Sequence, residues 1–410
     1  MKILLVNTLD NYGGAARACY RLHKALLEEG IDSKMLVQLK TGDDWTVLGP
    51  RTDMERSMGK VRSIIEKIPL KKYNINVTFS LNISPFSPVV ERINEINPDI
   101  VHLHWVNDGF LKIENIPKIK PPIIWTMHDM WLFTGGCHYD EYCDRFKKNC
   151  GRCPVLNSNK ENDLSRKTWN RKNKAFSKIK NMLIVGPGKW HTECAKDSLL
   201  LKNRKIWNIP NPIDTNVFKP FDKIKARELF GLPINKKLIL FGAMSNTDKR
   251  KGLKELKEAL HKIKNINDIE LVIFGSSPPE KEIDFGFKSY YLGRLNDDPS
   301  LVALYNAVDI VINASHQENL SNVIMESISC GKPVVAFNIG GNPDMIDHQI
   351  NGYLAKPFDT DDLANGIKWV LNNPDYNELC KNAREKVLNN FDKKIVVKRY
   401  IELYKEILKN

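Results

Sequence analysis

The chain has 410 residues, 42% of them hydrophobic and 27% charged. This is the usage of globular domains, and it excludes collagenous, low-complexity and wholly disordered classes. At ~150 residues per domain the length predicts two large domains, each with its own core. Apolar runs such as Leu238–Phe241 and Ile310–Ile312 fall far short of the ~20 residues of a membrane-spanning helix, and the apolar stretch after Met1 is too short for a secretory signal, so a cytoplasmic protein is expected. The formal net charge of +13 is concentrated: residues 151–250 hold 22 lysines and arginines against 8 aspartates and glutamates. A solvated lysine-rich face, an anionic lipid surface, a nucleic acid and an anionic ligand all fit that excess, and composition does not choose among them.

In chain order, short apolar runs alternate with longer amphipathic ones, which predicts parallel sheets covered by helices on both faces. In the first half the strands are expected at 2–7, 33–39, 99–105, 123–129 and 182–186, with the first helix running from Ala15 to a stop at Gly30. The second half repeats the plan at 236–243, 269–275, 290–293, 309–315 and 333–341. Residues 206–222 carry three prolines, which disfavours a helix or an interior strand and predicts the linker there. The domains are then 1–205 and 223–390. A last helix follows, with an apolar stripe through Ile395, Val396, Tyr400, Leu403 and Ile407.

The segment 316–341 carries the most specific chemistry. It places Glu318 in a loop after a strand, starts a helix near Ser321, sets Glu326 on that helix and returns to a buried strand. Backbone N–H groups of Leu320, Ser321, Asn322 and Val323 at a helix start suit a phosphate, aided by the helix dipole. A carboxylate on the same helix, Glu326, suits two adjacent ribose hydroxyls. Together they fit a nucleoside diphosphate, with Glu318 directed at whatever the phosphate carries. Two glutamates eight apart are in general only exposed helix charges, but Ile324, Met325 and Ile328 surround Glu326 with apolar neighbours.

The spacing of Glu318 and Glu326, followed by SCGKPVVAFNIGG, resembles the donor site of retaining glycosyltransferases of family 4, which have the GT-B fold. The likeness extends to Gly13 and Gly14 after the first strand, His128 after the fourth, IPNPIDTNVFKP in the expected linker and KGLKELKEAL at 251–260. It implies two doubly wound Rossmann-like domains facing across a cleft, the first for the acceptor and the second for the donor, with the 391–410 helix packing back on the first. It also implies that Glu326 holds the ribose, Glu318 the donor sugar and Lys251 the diphosphate, with His128, Glu318 and Lys251 as the catalytic set. The donor set adds Gly13, Gly14, Arg250, Arg294 and Asn319. Lys251 and the helix start would offset the charge of the departing diphosphate without a metal cofactor. The family's usual arginine falls at Asn246 here, and Arg250 is the cation expected to fold back into its place. Base and sugar are expected to be read around Gly293–Leu295 and Ser245–Thr247, and no residue there separates UDP from GDP.

Gly13 and Gly14 also serve as a tight strand-to-helix turn, and Gly-Gly alone is not a dinucleotide fingerprint. Asp129 is the less specific neighbour of His128, and His102 and His104 read as packing residues. Cys137, Cys143, Cys150 and Cys153, spaced C-x5-C-x6-C-x2-C, suit a structural zinc site in a reducing compartment, with unpaired thiols and redox chemistry as the alternatives.

The expected reaction moves a sugar from a UDP- or GDP-sugar to a hydroxyl of a glycan or lipid-linked glycan with retention, in polysaccharide or lipopolysaccharide assembly. The basic stretch at 160–205 would then face an anionic membrane as a peripheral contact at its inner face. Two rivals stand beside this. A non-hydrolysing nucleotide-sugar epimerase shares the architecture but needs a proton-abstracting carboxylate that is not assignable. A nucleic-acid-binding protein with a zinc site fits the charge, but the basic residues are not interleaved with stacking aromatics, and no nucleic-acid partner is expected.

Overall fold

The computed structural model describes residues 1–73, 75, 77–242, 249–275 and 283–409 and divides into two compact units. The first is Met1–Pro212 with Val396–Asn410, and the second is Ile213–Ile395.

The first unit is built on seven strands: β1 (Lys2–Leu9), β2 (Asp32–Leu39), β3 (Val47–Leu48), β4 (Ile100–Leu103), β5 (Ile123–Thr126), β6 (Met182–Gly186) and β7 (Ile206–Asn208). They lie in the order β3-β2-β1-β4-β5-β6-β7, every pair parallel. The strands are apolar on both sides because both faces are covered. Leu4, Val6, Val101, Leu103, Trp125 and Ile184 enter one core, while Ile3, Leu5, Ile100, Ile124 and Val185 enter the other. Its helices are α1 (Gly14–Glu28), α2 (Asp53–Lys67), α3 (Val89–Ile96), α4 (Leu164–Phe176) and α5 (Lys189–Asp197).

The second unit holds β8 (Lys237–Gly242), β9 (Ile269–Phe274), β10 (Ser289–Tyr291), β11 (Ile310–Asn313), β12 (Val334–Phe337) and β13 (Gly352–Ala355) in the parallel order β10-β9-β8-β11-β12-β13. Around them pack α6 (Lys223–Leu229), α7 (Leu253–His261), α8 (Asp298–Ala307), α9 (Asn322–Ser329), α10 (Asn342–Met345), α11 (Thr360–Leu371) and α12 (Tyr376–Asn390). The last helix, α13 (Lys393–Ile407), belongs to the first unit from Val396 on, where Val396, Val397, Tyr400, Leu403, Tyr404 and Ile407 enter the second of its two cores. Ile395 of the expected stripe is instead exposed.

The expected linker is not a free connector. Ile206–Asn208 form β7, the edge strand, paired on one side only with β6, and Ile213 onward belongs to the second unit. Its prolines follow the strand, where no ladder hydrogen bond is lost. In each unit the strand order reverses once, between β1 and β4 and between β8 and β11. The crevice outside the carboxyl ends at such a reversal is where open parallel sheets bind ligands.

Candidate functional site

In the second unit the chain leaves β8 and β11 side by side, so the loops after them meet. Lys251 closes a short 3-10 turn (Lys249–Lys251), and Gly252 follows in the left-handed region at φ 70° before α7 begins. A side chain at Gly252 would strike the carbonyl of Ala314 at 1.8 Å, so the glycine lets the two loops touch. His316 N–H donates to the Arg250 carbonyl at 2.7 Å, and Arg250 Nη1 donates to the Gln317 carbonyl at 2.8 Å.

This seam delivers two cations to Glu318. Lys251 Nζ donates to Glu318 Oε1, Ser315 Oγ donates to the same oxygen at 2.9 Å, and Arg250 Nη1 stands 3.4 Å away. The Glu318 residue is only 6% exposed. Burial would push its carboxyl up, but the charges of Lys251 and Arg250 and the donated hydrogen bonds outweigh it and hold the pKa down at about 2. The far side of the Glu318 loop rests on Gly340 and Gly341. Gly341 N–H donates to the Glu318 carbonyl at 3.1 Å, and a side chain at Gly341 would lie 1.6 Å from the Asn319 carbonyl.

Ser321 is the N-cap of α9, but its hydroxyl does not cap the helix; it accepts from Asn313 Nδ2 at 3.1 Å. Asn319, Leu320 and Ser321 are buried, and Asn322 and Val323 are half-buried. One turn on, Glu326 is buried, and Tyr305 of α8 donates its hydroxyl to Glu326 Oε2 at 2.9 Å. Tyr305 was not singled out in the sequence, since an aromatic in an apolar helix carries no signal beyond packing. Arg294 is exposed beyond β10, two strands away from β8. Asn246 and Ser245–Thr247 lie outside the described residues.

In the first unit, Gly13 adopts φ 88° as the N-cap of α1, and Gly14 opens the helix, exposed. Gly13 is required for its backbone angle, since nothing lies within 4 Å of where a side chain would start. His128, after β5, is half-buried and does not act alone. Its Nε2 lies 2.8 Å from Nδ1 of His104, with the rings stacked at 5.1 Å. His104 is therefore a partner of the predicted site histidine and not simply a packing residue. His102, two residues earlier, is packed as expected, bonded to Tyr404 and Thr126. Burial pushes His128 down to about 4 and His102 to about 3, and holds His104 well below its ordinary value, so the stacked pair shares one N–H between neutral rings. Asp129 caps the turn Met130–Phe133 by accepting from Trp131 N–H at 2.9 Å, and it also takes Trp105 Nε1 at 3.0 Å and His138 Nδ1 at 2.5 Å. Those bonds make it a structural clasp.

Much of the basic stretch is structural as well. Arg171 pairs with Glu114 and with the carbonyls of Leu81 and Asn82, Arg204 binds the carbonyls of Phe176 and Ile179, and Lys172 is fully buried. Lys167, Lys174, Lys178, Lys180 and Lys202 remain exposed. A groove of about 960 Å³ in the second unit opens at the amino ends of β8 and β11, the end opposite Glu318. Its cations include Arg227 and Lys223, which clamp Asp309 and so hold the sheet rather than await a ligand.

The four clustered cysteines form no disulfide and line one small cavity. Among the described residues no group of three or more His, Cys, Asp or Glu side chains is so placed that it could hold a metal ion as the side chains stand. No helix among them is long and apolar enough to cross a membrane.

Residues 12–217 match the family model described as Glycosyltransferase Family 4, and residues 224–387 match Glycosyl transferases group 1. The chain is 25% identical over 220 residues to N-acetyl-alpha-D-glucosaminyl L-malate synthase of Bacillus anthracis, covering 52% of this chain and 56% of that protein, so it spans little more than half the length of that relative. It is 25% identical over 363 residues to the putative colanic acid biosynthesis glycosyl transferase WcaC of Escherichia coli, covering 82% and 83%. The crystal structure of Anabaena Alr3699/HepE in complex with UDP-glucose is similar over 99% of this chain and all of that one, at a TM-score of 0.67 and 17% identity, a likeness of fold.

Proposed function

The chain belongs to glycosyltransferase family 4, with the two Rossmann-like domains of the GT-B fold, and from that premise we propose that it transfers a sugar from a nucleotide-sugar donor to a hydroxyl of a glycan or lipid-linked glycan acceptor, with retention at the anomeric carbon. The observation that carries this reading is the Lys251–Glu318 pair at the β8/β11 reversal, with Glu326 on the helix that follows it. A buried carboxylate held ionised beside two cations suits a polar sugar and a diphosphate bound next to each other.

In this reading the start of α9, Lys251 and Arg250 take the diphosphate, Glu326 takes the ribose, and Glu318 orients the sugar. Departure of the nucleoside diphosphate builds negative charge that Lys251 and the helix start offset, and no metal cofactor is assigned to the step. The leaving diphosphate accepts the proton of the attacking hydroxyl as the sugar passes through an oxocarbenium-like state on one face. His128, its orientation fixed by His104, is the first unit's proposed contribution. The family match and WcaC's name favour bacterial polysaccharide assembly.

Calorimetry with UDP and with GDP, without added metal, tests the donor assignment. One nucleotide is expected to bind the wild type, and Glu326→Ala is expected to weaken it ~10- to 100-fold, the ~1.5–3 kcal/mol of hydrogen bonds to a charged group. Equal affinity in the two proteins would overturn the ribose role. The exposed lysines of α4 and the turn after it give a further expectation for a lipid-linked acceptor: co-sedimentation with vesicles containing anionic lipid at low salt, lost at high salt. Indifference to those vesicles at low salt would remove the membrane from the proposal.

A further inference from the structure

Residues 134–158 contain no strand, and their helical content is two three-residue turns, Arg145–Lys147 and Pro154–Leu156. Six of their non-glycine residues, among them Cys150, sit at positive φ. The local core is small, built from Cys137, Cys153, Val155 and Leu156 against Phe79 and Leu81. A long irregular segment of this kind needs something beyond apolar burial to hold one conformation.

At its centre Cys137, Cys143, Cys150 and Cys153 line a single cavity of about 10 Å³, room for one atom-sized occupant.

A second observation is independent of the loop. Lys172 of α4 is fully buried, its ammonium over the Trp131 ring at 3.6 Å and donating to the carbonyls of Trp131 and Thr134. Its Nζ reaches the Thr134 carbonyl, and Thr134 also lines the cavity of the four cysteines, so the ammonium stands at the edge of that cavity. A buried cation is costly without a compensating anion, and a zinc ion held by four thiolates carries a net charge of −2.

We propose that Cys137, Cys143, Cys150 and Cys153 form a tetrahedral Zn²⁺ site that staples this loop of the first unit. The four thiol protons are released as the ion binds, and Lys172 offsets part of the charge of the tetrathiolate. The four cysteines line one cavity without being placed to hold an ion, so binding requires their side chains to turn into that cavity. The role is structural, since four protein ligands leave no open coordination position.

The test is elemental analysis of the full-length protein purified with a non-chelating reductant, expected to show about one zinc ion per chain. Titration with a mercurial, read with a zinc indicator, is expected to release that zinc as four thiols react. Cys143→Ser is expected to lose the ion and Cys380→Ser, in the second unit, to keep it. Cobalt added to the wild-type protein after zinc removal is expected to give thiolate-to-cobalt charge transfer and the visible bands of a tetrahedral site, a readout independent of whether the variants fold. A folded protein with no zinc and no such spectrum would overturn the proposal. So would disulfides among these four cysteines in peptide maps of protein prepared without reductant.

Discussion

Acidification from pH 7 to 5 is expected to unfold the first unit while the second remains folded. His23, His102, His104 and His191 are buried and His128 is half-buried, and all are held neutral chiefly by desolvation: His23, His128 and His191 at about 4, His102 at about 3 and His104 well below its ordinary value. In an unfolded chain each returns to ~6.5. Their folded values are depressed, so the stability they confer is complete above ~6.5 and is lost as the pH falls toward about 4, because the unfolded chain takes up protons that the fold refuses. Each excess proton contributes ~1.4 kcal/mol per pH unit, so five give a slope on the order of 7 kcal/mol per pH unit, against a total stability of ~5–15 kcal/mol. All five lie in the first unit. In the second, Glu318 is also depressed, but its contribution fades only below ~4.5, on the way to about 2. Seven of the eight tryptophans are in the first unit, so tryptophan fluorescence follows it almost alone, and hydrogen exchange of peptides from 213–395 follows the other. Fluorescence unchanged down to pH 4 would contradict the argument.

Lys251→Ala is expected to lower kcat/KM by ~10²–10³, the typical cost of removing one preorganised stabiliser of a developing anion. The fall should appear mainly in kcat, because the charge it meets is greatest as the diphosphate departs. Glu318 then keeps Arg250 and Ser315 but loses the closest of its two cations, so its pKa should rise toward the ordinary value; the variant should be less stable at neutral pH and should lose less further stability than the wild type on acidification below pH ~4.5. Lys251→Arg should restore part of kcat, since it returns the charge without the same reach. Steady-state kinetics with the nucleotide sugar found by calorimetry, and acid denaturation of the variant, check the two halves separately. A variant with normal kcat and raised KM would move Lys251 to ground-state binding alone.

The strands and the donor loop were legible in the sequence because each rests on a local pattern. Strands such as Lys237–Gly242 and Ile269–Phe274 are apolar runs buried on both faces, and Glu318 and Glu326 are fixed by the loop and helix between two of them. Elements with weaker local signals escaped. Val47–Leu48 is two residues long, Gly352–Ala355 is broken by a glycine and a tyrosine, and Ile206–Asn208 was masked by the prolines that follow it. The pairing of His104 with His128 depends on two strands lying side by side, and the hold of Tyr305 on Glu326 depends on two helices doing so. Neither follows from spacing along the chain. Arg250 was expected to turn back toward the site, and its bond to the Gln317 carbonyl places it beside Glu318.

The final helix sets an order of events during synthesis. Tyr404 bonds His102, Tyr400 bonds Thr126, and Val396 through Ile407 complete a core begun by Ile3 and Leu5. Ile3 and Leu5 therefore wait for a helix translated after the whole second unit, while residues 213–395 form a compact unit of their own before that helix emerges. The second unit should mature first on the ribosome, although it is translated second. A nascent chain stalled before residue 396 should present a protease-resistant second unit and a first unit still open to cleavage.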